Sequence, residues 1–500
     1  MILVFDLGTQ SFRATLIGRS YERVWEYSRP VQSRMQGPVV EQEPDQWREA
    51  LLDSLRELGR QGSLARHVEA VTCSATLSGL VCLGQGGEVL RPAVMYADRR
   101  PASQIARIEA LEGFHRLTER SGWRVYSGDF LPQLAWLRAE MPGLYQRSAM
   151  LLDATGYLNF LLTGSATLDR YTAFTCYADP AAWELPGTLF RQLDISLRKL
   201  GRLASPGERI GPVLSDIAAL GGIGRAEVVS VSYDSAAAYL GGSLQEAGEA
   251  LDISGTVTSF GVVSGRQVVD RARRVYSIPH GDSGKWIVRG STALAGGALE
   301  WARQTIMNDD FEAFDEAVAS SAPGANGVVF LPYLSGARSP VWEPSASGVF
   351  YGLTSQSTRA DMARAVYEGL CYSLRHIIQV AEECGAQVDS IQLGGGLSRN
   401  SLLNRMKSDI TGKTVIPLAD AEVTTIGAAS IAARSLGWFD QETATRSLIT
   451  PQEYVAPDPG PREEYDRQFN RYLGLIDCLL PLFIQDRDVA VESDSCQEPA

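Results

Sequence analysis

The chain is poor in the groups that build metal or disulfide frameworks. Its seven cysteines (Cys73, Cys82, Cys176, Cys371, Cys384, Cys478, Cys496) form no C-x-x-C pair and make no close cluster with the four histidines. That argues against a zinc site or a disulfide scaffold. Positive charge is also short, since 46 Lys and Arg against 59 Asp and Glu leave a formal net charge of −13. A surface for nucleic acid or anionic lipid is therefore disfavoured. Long hydrophobic runs are missing too: the start carries Asp6 and Arg13 where a signal core would lie, and the apolar stretch 473–484 contains Asp477. The expectation is a cytoplasmic protein with neither signal peptide nor membrane span.

What the chain does have is length, because 500 residues exceed the size at which one core keeps growing, and two domains are expected. At its start, Ile2-Leu3-Val4-Phe5-Asp6-Leu7 is an apolar run broken by one carboxylate. Gly8-Thr9-Gln10-Ser11 is a small polar turn, and the residues from Phe12 to Ile17 alternate in character. This predicts a β-hairpin. Its turn would offer backbone N–H groups and the hydroxyls of Thr9 and Ser11 to an anion, with Asp6 beside them to hold a cation or its water. That combination suits a metal-bound polyphosphate. An ordinary hairpin whose Asp6 bonds its own turn would read the same way. The pattern returns about half a chain later in Leu251-Asp252-Ile253-Ser254-Gly255-Thr256-Val257-Thr258, and duplication is the simplest account. Two such hairpins, one per half, would face each other across a cleft and pinch a triphosphate. An anionic ligand such as ATP would need neutralisation by a cation, by amides or by Arg13.

Between these points the periodicity predicts a helix opened by Glu43-Pro44-Asp45-Gln46-Trp47, with Trp47, Leu51, Leu52, Leu55 and Leu58 at helical spacing. Residues 68–74 read as a strand with 80–83 as its neighbour. From 101 to about 225 helical patterning dominates, with Trp136, Leu137, Tyr157, Leu158, Phe160 and Leu161 as core. A strand at 227–231 leads to a capped helix starting at Asp234, and the domain boundary is placed at Gly241-Gly242 and the polar stretch 243–249. The second half predicts hairpins to Val288, helices from Gly296 and from Thr358, and a strand at 391–393 entering a glycine turn. A helix at 401–410 follows, and a last amphipathic helix comes after the Pro-rich 457–461.

Three further positions carry chemistry. Asp234 follows a β-run and begins an Ala-rich helix, so it is either a helix N-cap or a carboxylate facing a cleft, kept ionised by the helix start and able to take a proton from a hydroxyl. Gly394-Gly395-Gly396-Leu397-Ser398 lies between strand and helix, where a flat group or a phosphate can approach the backbone. It is neither a Walker A loop nor G-x-G-x-x-G. Asp98, with Arg99 and Arg100, is either part of a solvated charged loop or an acceptor for two sugar hydroxyls.

These segments resemble the FGGY carbohydrate kinases, the group of xylulokinase, glycerol kinase, gluconokinase and ribulokinase. The most specific match is Gly348-Val349-Phe350-Tyr351-Gly352-Leu353, then seven residues, then the run from Asp361 to Glu368, which resembles the family's second signature without a gap. Asp6-Leu7-Gly8-Thr9-Gln10-Ser11, Glu41-Gln42-Glu43-Pro44-Asp45-Gln46-Trp47, Phe330-Leu331-Pro332-Tyr333-Leu334-Ser335-Gly336 and the glycine turn support it.

The resemblance implies an α/β fold of two actin/hexokinase-like (ribonuclease H-like) domains with an ATP cleft between them. It divides the chain into 1–242 with the sugar site and first phosphate hairpin, 243–455 with the nucleotide site, a helix at 456–485 and a disordered tail at 486–500. It implies ATP and Mg²⁺, with Asp6 and Asp234 near the metal and Asp234 as catalytic base. Thr76, Ser78, Asp98, Arg99 and Asp234 would meet the sugar. Gly8, Thr9, Gln10, Ser11, Arg13, Ser254, Gly255 and Thr256 would contact phosphates, and Gly296, Gly394, Gly395, Gly396 and Ser398 the rest of the nucleotide. The activity implied is phosphorylation of a ketose or polyol, a pentulose such as xylulose or ribulose first. A small-molecule substrate is the expected partner, without nucleic acid or membrane, and relatives are frequently homodimers.

The departures fall on the sugar side. Ser74-Ala75-Thr76-Leu77-Ser78-Gly79 stands where xylulokinases show Ser-Gly-Gln-Met-His-Gly, so Ser78 replaces a pocket histidine. No Lys stands before Leu134-Ala135-Trp136-Leu137, and Ala337 replaces a usual Glu. An altered pocket leaves room for another polyol or an aldonate, or for a sensor without catalysis. An ATPase acting on a polypeptide is disfavoured by the sugar-domain segments.

Overall fold

A computed structural model of the chain describes residues 1–179, 182–241, 244–281, 283–307, 310–418, 422–438 and 454–495. The chain divides into two compact units. The first comprises Met1–Ser243, Ile278–Ser283 and Val423–Ile449; the second comprises Leu244–Ser277, Gly284–Glu422 and Thr450–Ala500.

The first unit is built on a six-stranded sheet. Its strands are β1 (Ile2–Leu7), β2 (Ser11–Ile17), β3 (Arg23–Pro30), β4 (Ala70–Ala75), β5 (Arg209–Pro212) and β6 (Glu227–Val229), in the order β5-β6-β4-β1-β2-β3. β1 pairs antiparallel with β2 and parallel with β4, and β4 pairs parallel with β6. Every residue of β1 is buried, as a strand covered on both faces requires, whereas β3 at the edge is partly exposed along its length. Helix α1 (Pro44–Arg60) starts on proline and buries Trp47, Leu51, Leu55 and Leu58 in the sheet's core, with Leu52 half-buried. In the helical region Trp136, Leu137, Tyr157 and Leu158 are buried, while Phe160 and Leu161 are only partly covered.

The neighbour predicted for β4 is different. The strand Val81–Leu83 pairs with Met150–Leu152 in a separate two-stranded sheet. Ser78 (φ 61) and Gly79 (φ 76) turn the chain away after β4, and the Ser78 carbonyl accepts the Ala154 N–H at 2.8 Å.

Helix α2 (Asp234–Gly241) ends the first long segment, and its neighbours Gly242 and Ser243, where the domain boundary is expected, lie outside the described residues. The late helix Val423–Ser435 clusters with this first unit although it lies far beyond that boundary. The reason is a glycine crossing. A Cβ on Gly241 would stand 1.8 Å from the Gly427 carbonyl oxygen, and one on Gly427 would stand 2.3 Å from that of Ala237. Only two glycines let these backbones approach so closely.

The second unit repeats the plan. Its sheet contains β7 (Glu249–Ser254), β8 (Thr258–Ser264), β9 (Tyr276–Pro279), β10 (Trp286–Thr292), β11 (Ser390–Gly394) and β12 (Thr414–Pro417), in the order β9-β10-β8-β7-β11-β12. As in the first unit, the strand opening the hairpin pairs antiparallel with the next strand and parallel with a later one, β7 with β8 and β11. Hairpin strands of six and seven residues occur in both units, which is the structural face of the repeated sequence pattern.

The second signature has a packing role. The helix Arg359–Glu383 starts on a reciprocal capping box between Thr358 and Asp361. One turn and more along it, buried Glu368 accepts Arg364 Nε at 2.7 Å and the Gly324 N–H at 2.9 Å. The last helix, Arg462–Ser495, packs Tyr465, Phe469, Tyr472 and Ile476 into the same core and runs into the tail that the sequence reading leaves unordered; residues 496–500 lie outside the described residues. Among the described residues no helix is long and apolar enough to cross a membrane.

Candidate active site

Parallel strands in one sheet bring their C-terminal ends to one edge, and α/β sheets bind ligands there. In the first unit Leu7 is in register with Ala75, and Val229 with Thr72. Asp6 near the end of β1, Thr76 and Ser78 just past β4, and Asp234 after β6 therefore follow neighbouring strand ends.

The first turn is closed by the Gly8 N–H donating to the Ser11 carbonyl at 2.9 Å. Gln42 braces it: its Nε2 donates to the Thr9 carbonyl at 2.8 Å, and its Oε1 accepts Trp47 Nε1 at 2.9 Å. The motif from Glu41 to Trp47 is thus the back wall of the turn. Asp6 is buried, with Arg13 Nη2 3.7 Å from its carboxylate across the hairpin. Arg13 itself stays half-exposed, in position to face an anion.

Asp234 is the first residue of α2, and its Oδ1 accepts the Ser235 N–H at 2.6 Å. The approach to it is held by a network absent from the sequence reading. Ser74 Oγ donates to the Ser232 carbonyl at 3.0 Å, and Ser232 Oγ donates to Asp169 Oδ1 at 2.7 Å. Asp169 also caps its helix through the N–H groups of Tyr171 and Thr172, and Thr172 Oγ1 reaches Asp153 at 3.3 Å. Burial raises the carboxyls of both Asp153 and Asp169 above the usual carboxylate range, and for Asp153 the neighbouring Asp169 charge adds to it. Each aspartate stands one residue before a helix, so the N-cap pattern was the available signal.

The hydroxyls of Thr76 and Ser78 are buried without a hydrogen-bond partner among the described residues. Two orphaned hydroxyls are costly unless a ligand meets them. Asp98 is arranged otherwise. It is fully buried, and its oxygens accept the N–H groups of Val40 (2.9 Å) and Arg100 (2.9 Å) together with Arg100 Nε and Nη2. Direct contact with two sugar hydroxyls would require displacing those donors, so what Asp98 does here is fix Arg100. That guanidinium also reaches Glu41 at 2.5 Å and lies 4.6 Å over the Trp136 ring, while Arg99 beside it is exposed.

In the second unit two loops converge on the 254–256 turn. A Cβ on Gly296 would come 2.7 Å from the Gly255 carbonyl oxygen, and one on Gly395 (φ 78) would come 2.5 Å from that of Ser254. The Gly296 N–H also donates to the Gly255 carbonyl at 2.9 Å. Ser398 Oγ closes the glycine turn onto the Gly395 carbonyl at 2.8 Å, with Gly394 and Gly396 on either side of it. Thr256 is exposed at the tip. Asp252 is no counterpart of Asp6, because it is fully buried and paired with Lys407 Nζ at 2.6 Å, with Ser254 Oγ at 2.8 Å on its other oxygen. Lys407, more than 150 positions away, carried no local signal.

Among the described residues no group of three His, Cys, Asp or Glu could hold a metal by itself. A Mg²⁺ ion needs no such group, since it keeps most of its waters and leans on substrate phosphates.

Comparison with known proteins agrees with this geometry. A family model described as the FGGY family of carbohydrate kinases, N-terminal domain, matches residues 1–241, and its C-terminal counterpart matches residues 251–436. Xylulose kinase of Bacillus subtilis is 28% identical over 488 residues, covering 94% of this chain and 95% of that protein. Among solved structures, xylulose kinase from Rhodospirillum rubrum aligns with a TM-score of 0.85 at 26% identity, over 96% of this chain and 99% of that one. Gluconate kinase from Lactobacillus acidophilus aligns at 0.89 and 20% identity, over 96% and 98%, a likeness of fold alone. The two α/β units are those of an actin/hexokinase-like ATPase fold.

Proposed function

The chain belongs to the FGGY family of carbohydrate kinases, and on that premise we propose that it transfers the γ-phosphoryl group of ATP to a hydroxyl of a ketose or polyol, with a pentulose such as xylulose or ribulose as the first candidate. The observation that carries this reading is the common strand-end position of Asp6, the orphaned Thr76 and Ser78 hydroxyls, and Asp234.

Thr76, Ser78 and Arg99 meet the sugar, and Asp98 acts by holding Arg100. The attacking hydroxyl gives its proton to Asp234 as its oxygen bonds to the γ-phosphorus and the bond to the β,γ-bridging oxygen breaks, leaving ADP. The 8–11 turn with Arg13 binds phosphate oxygens, and so does the 254–256 turn backed by Gly296 and Gly395. Gly394, Gly396 and Ser398 border the adenosine. Asp6 and Asp234 would hold Mg²⁺, whose charge offsets that spreading over the phosphate oxygens.

A coupled ADP-release assay across ketopentoses, polyols and aldonates tests the reading. Turnover on a ketose or polyol is expected, with Asp234→Asn slower by roughly 10²- to 10⁴-fold and still binding nucleotide. Turnover only on an aldonate would move the substrate class, as the Ser78 replacement of the pocket histidine allows. No turnover on any of them, or an unimpaired Asp234→Asn enzyme, would refute the proposal.

A further inference from the structure

At the far end of α2 from Asp234 lies a cavity wholly within the first unit. Leu240 lines it, six residues along the helix from Asp234 and so about 9 Å away along the axis. The cavity has a volume of about 360 Å³, at the small end of the range of small-molecule sites. Three basic side chains line it: Arg170, His280 and Arg434.

Among the described residues neither guanidinium makes an ion pair of its own. Among the described residues Arg434 donates one hydrogen bond, from Nη2 to the Leu240 carbonyl at 3.2 Å. The groups that interact with its charge are the Tyr21 and Tyr171 hydroxyls, and burial pulls its pKa down. Arg170 lies 5.2 Å over the Trp183 ring, and its Nε is buried without an acceptor. The carboxylate whose charge Arg170 feels, Glu208, is already committed to Arg202 and to the Ser205 N–H at 3.0 Å. The wall opposite is pinned by Tyr171, whose hydroxyl donates to the Pro279 carbonyl at 3.0 Å and accepts the Gly281 N–H at 3.0 Å. Buried His280 and exposed Ser283 complete that wall, with Nδ1 and Oγ 3.2 Å apart.

A guanidinium withdrawn from water without a counter-charge is expensive, and a planar fork is the group best matched to tetrahedral oxyanions. We propose that this cavity is a binding site for a phosphate monoester of a small molecule, held by Arg170 and Arg434 and separate from the strand-end site. Its size admits a phosphorylated sugar, and its place at the end of α2 puts such a ligand on the helix that begins with Asp234.

The test is thermal unfolding and calorimetric titration of the full chain with ribose 5-phosphate, glucose 6-phosphate, inorganic phosphate and, as control, ribose. Wild type, Arg170→Gln, Arg434→Met and Arg13→Gln are compared. We expect saturable stabilisation by the esters and none by ribose, weakened at least about tenfold in Arg170→Gln and Arg434→Met, as loss of a charge-assisted hydrogen bond implies. It should persist in Arg13→Gln, and turnover without added phosphate should be unchanged in the two cavity variants. Inorganic phosphate binding as tightly as the esters, with the same variant pattern, would support the anion site and name free phosphate as its occupant. Absence of any phosphate-dependent shift in wild type would overturn the proposal. So would binding that survives both cavity variants, or binding lost only in Arg13→Gln. Because the readout needs no turnover, its failure is distinct from failure of the kinase reading.

Discussion

Replacing Lys407 by methionine should cost the second unit much of its stability. Lys407 Nζ lies 2.6 Å from Asp252 and 3.1 Å from Ser254 Oγ, and the Asp252 carboxylate is entirely shielded from solvent. Without the ammonium, Asp252 keeps one hydroxyl donor, Ser254 Oγ at 2.8 Å, against the desolvation of a full negative charge. Removing one partner of such a pair typically costs about 3–5 kcal/mol. For a unit of this size that is a fall in unfolding midpoint of roughly 6–20 °C. The double variant Asp252→Asn/Lys407→Met removes both charges and should recover much of the loss. Urea denaturation of wild type, the two single variants and the double variant supplies the cycle. A Lys407→Met loss below about 1 kcal/mol, or a double variant no more stable than Lys407→Met, would refute the claim that the lysine is there to neutralise a buried acid behind the 254–256 turn.

Gly395→Ala places a methyl 2.5 Å from the Ser254 carbonyl oxygen in a left-handed conformation, so it should raise the KM for ATP more than that for sugar; steady-state kinetics with an unchanged nucleotide KM would contradict the nucleotide assignment. Thr76→Val and Ser78→Ala remove hydroxyls that have no partner, so denaturation midpoints should hold while the KM for sugar rises by about tenfold; the reverse pattern would make both hydroxyls structural. His376 is held near pKa 4 by burial against an ordinary value of 6.5. Its depressed value means that its contribution is complete above pH 6.5 and is lost as pH falls towards 4, on the order of 3 kcal/mol. His376→Gln should flatten that part of the stability–pH curve, and an unchanged slope between pH 6.5 and 4 would exclude His376 as its source.

Local pattern carried far in this chain. An apolar run, one carboxylate and a donor-rich turn are enough to specify a hairpin whose strands both have buried neighbours, and both copies form as the pattern predicts. The helices starting at Pro44, Gly296 and Ser401, and the one capped by Thr358, were equally legible, because spacing and cap residues act within a few positions. Family resemblance then grouped the site residues, and strand register explains why Asp6, Thr76 and Asp234 share a sheet edge.

What pairing across long separations decides could not be read this way. The strand after Gly79 left its expected neighbour because two left-handed residues redirect the chain. Asp98 and Asp252 look like free carboxylates in sequence, yet in the fold they are occupied by Arg100 and Lys407. Helix Val423–Ser435 joined the first unit through a crossing of Gly241 and Gly427. The sequence by itself determined the hairpins, the helices and the chemical types at the site, since those follow from neighbouring residues. Only the tertiary structure decided which charges are neutralised and which hydroxyls are left without partners among the described residues, because a side chain's electrostatic state depends on whatever distant segment packs against it.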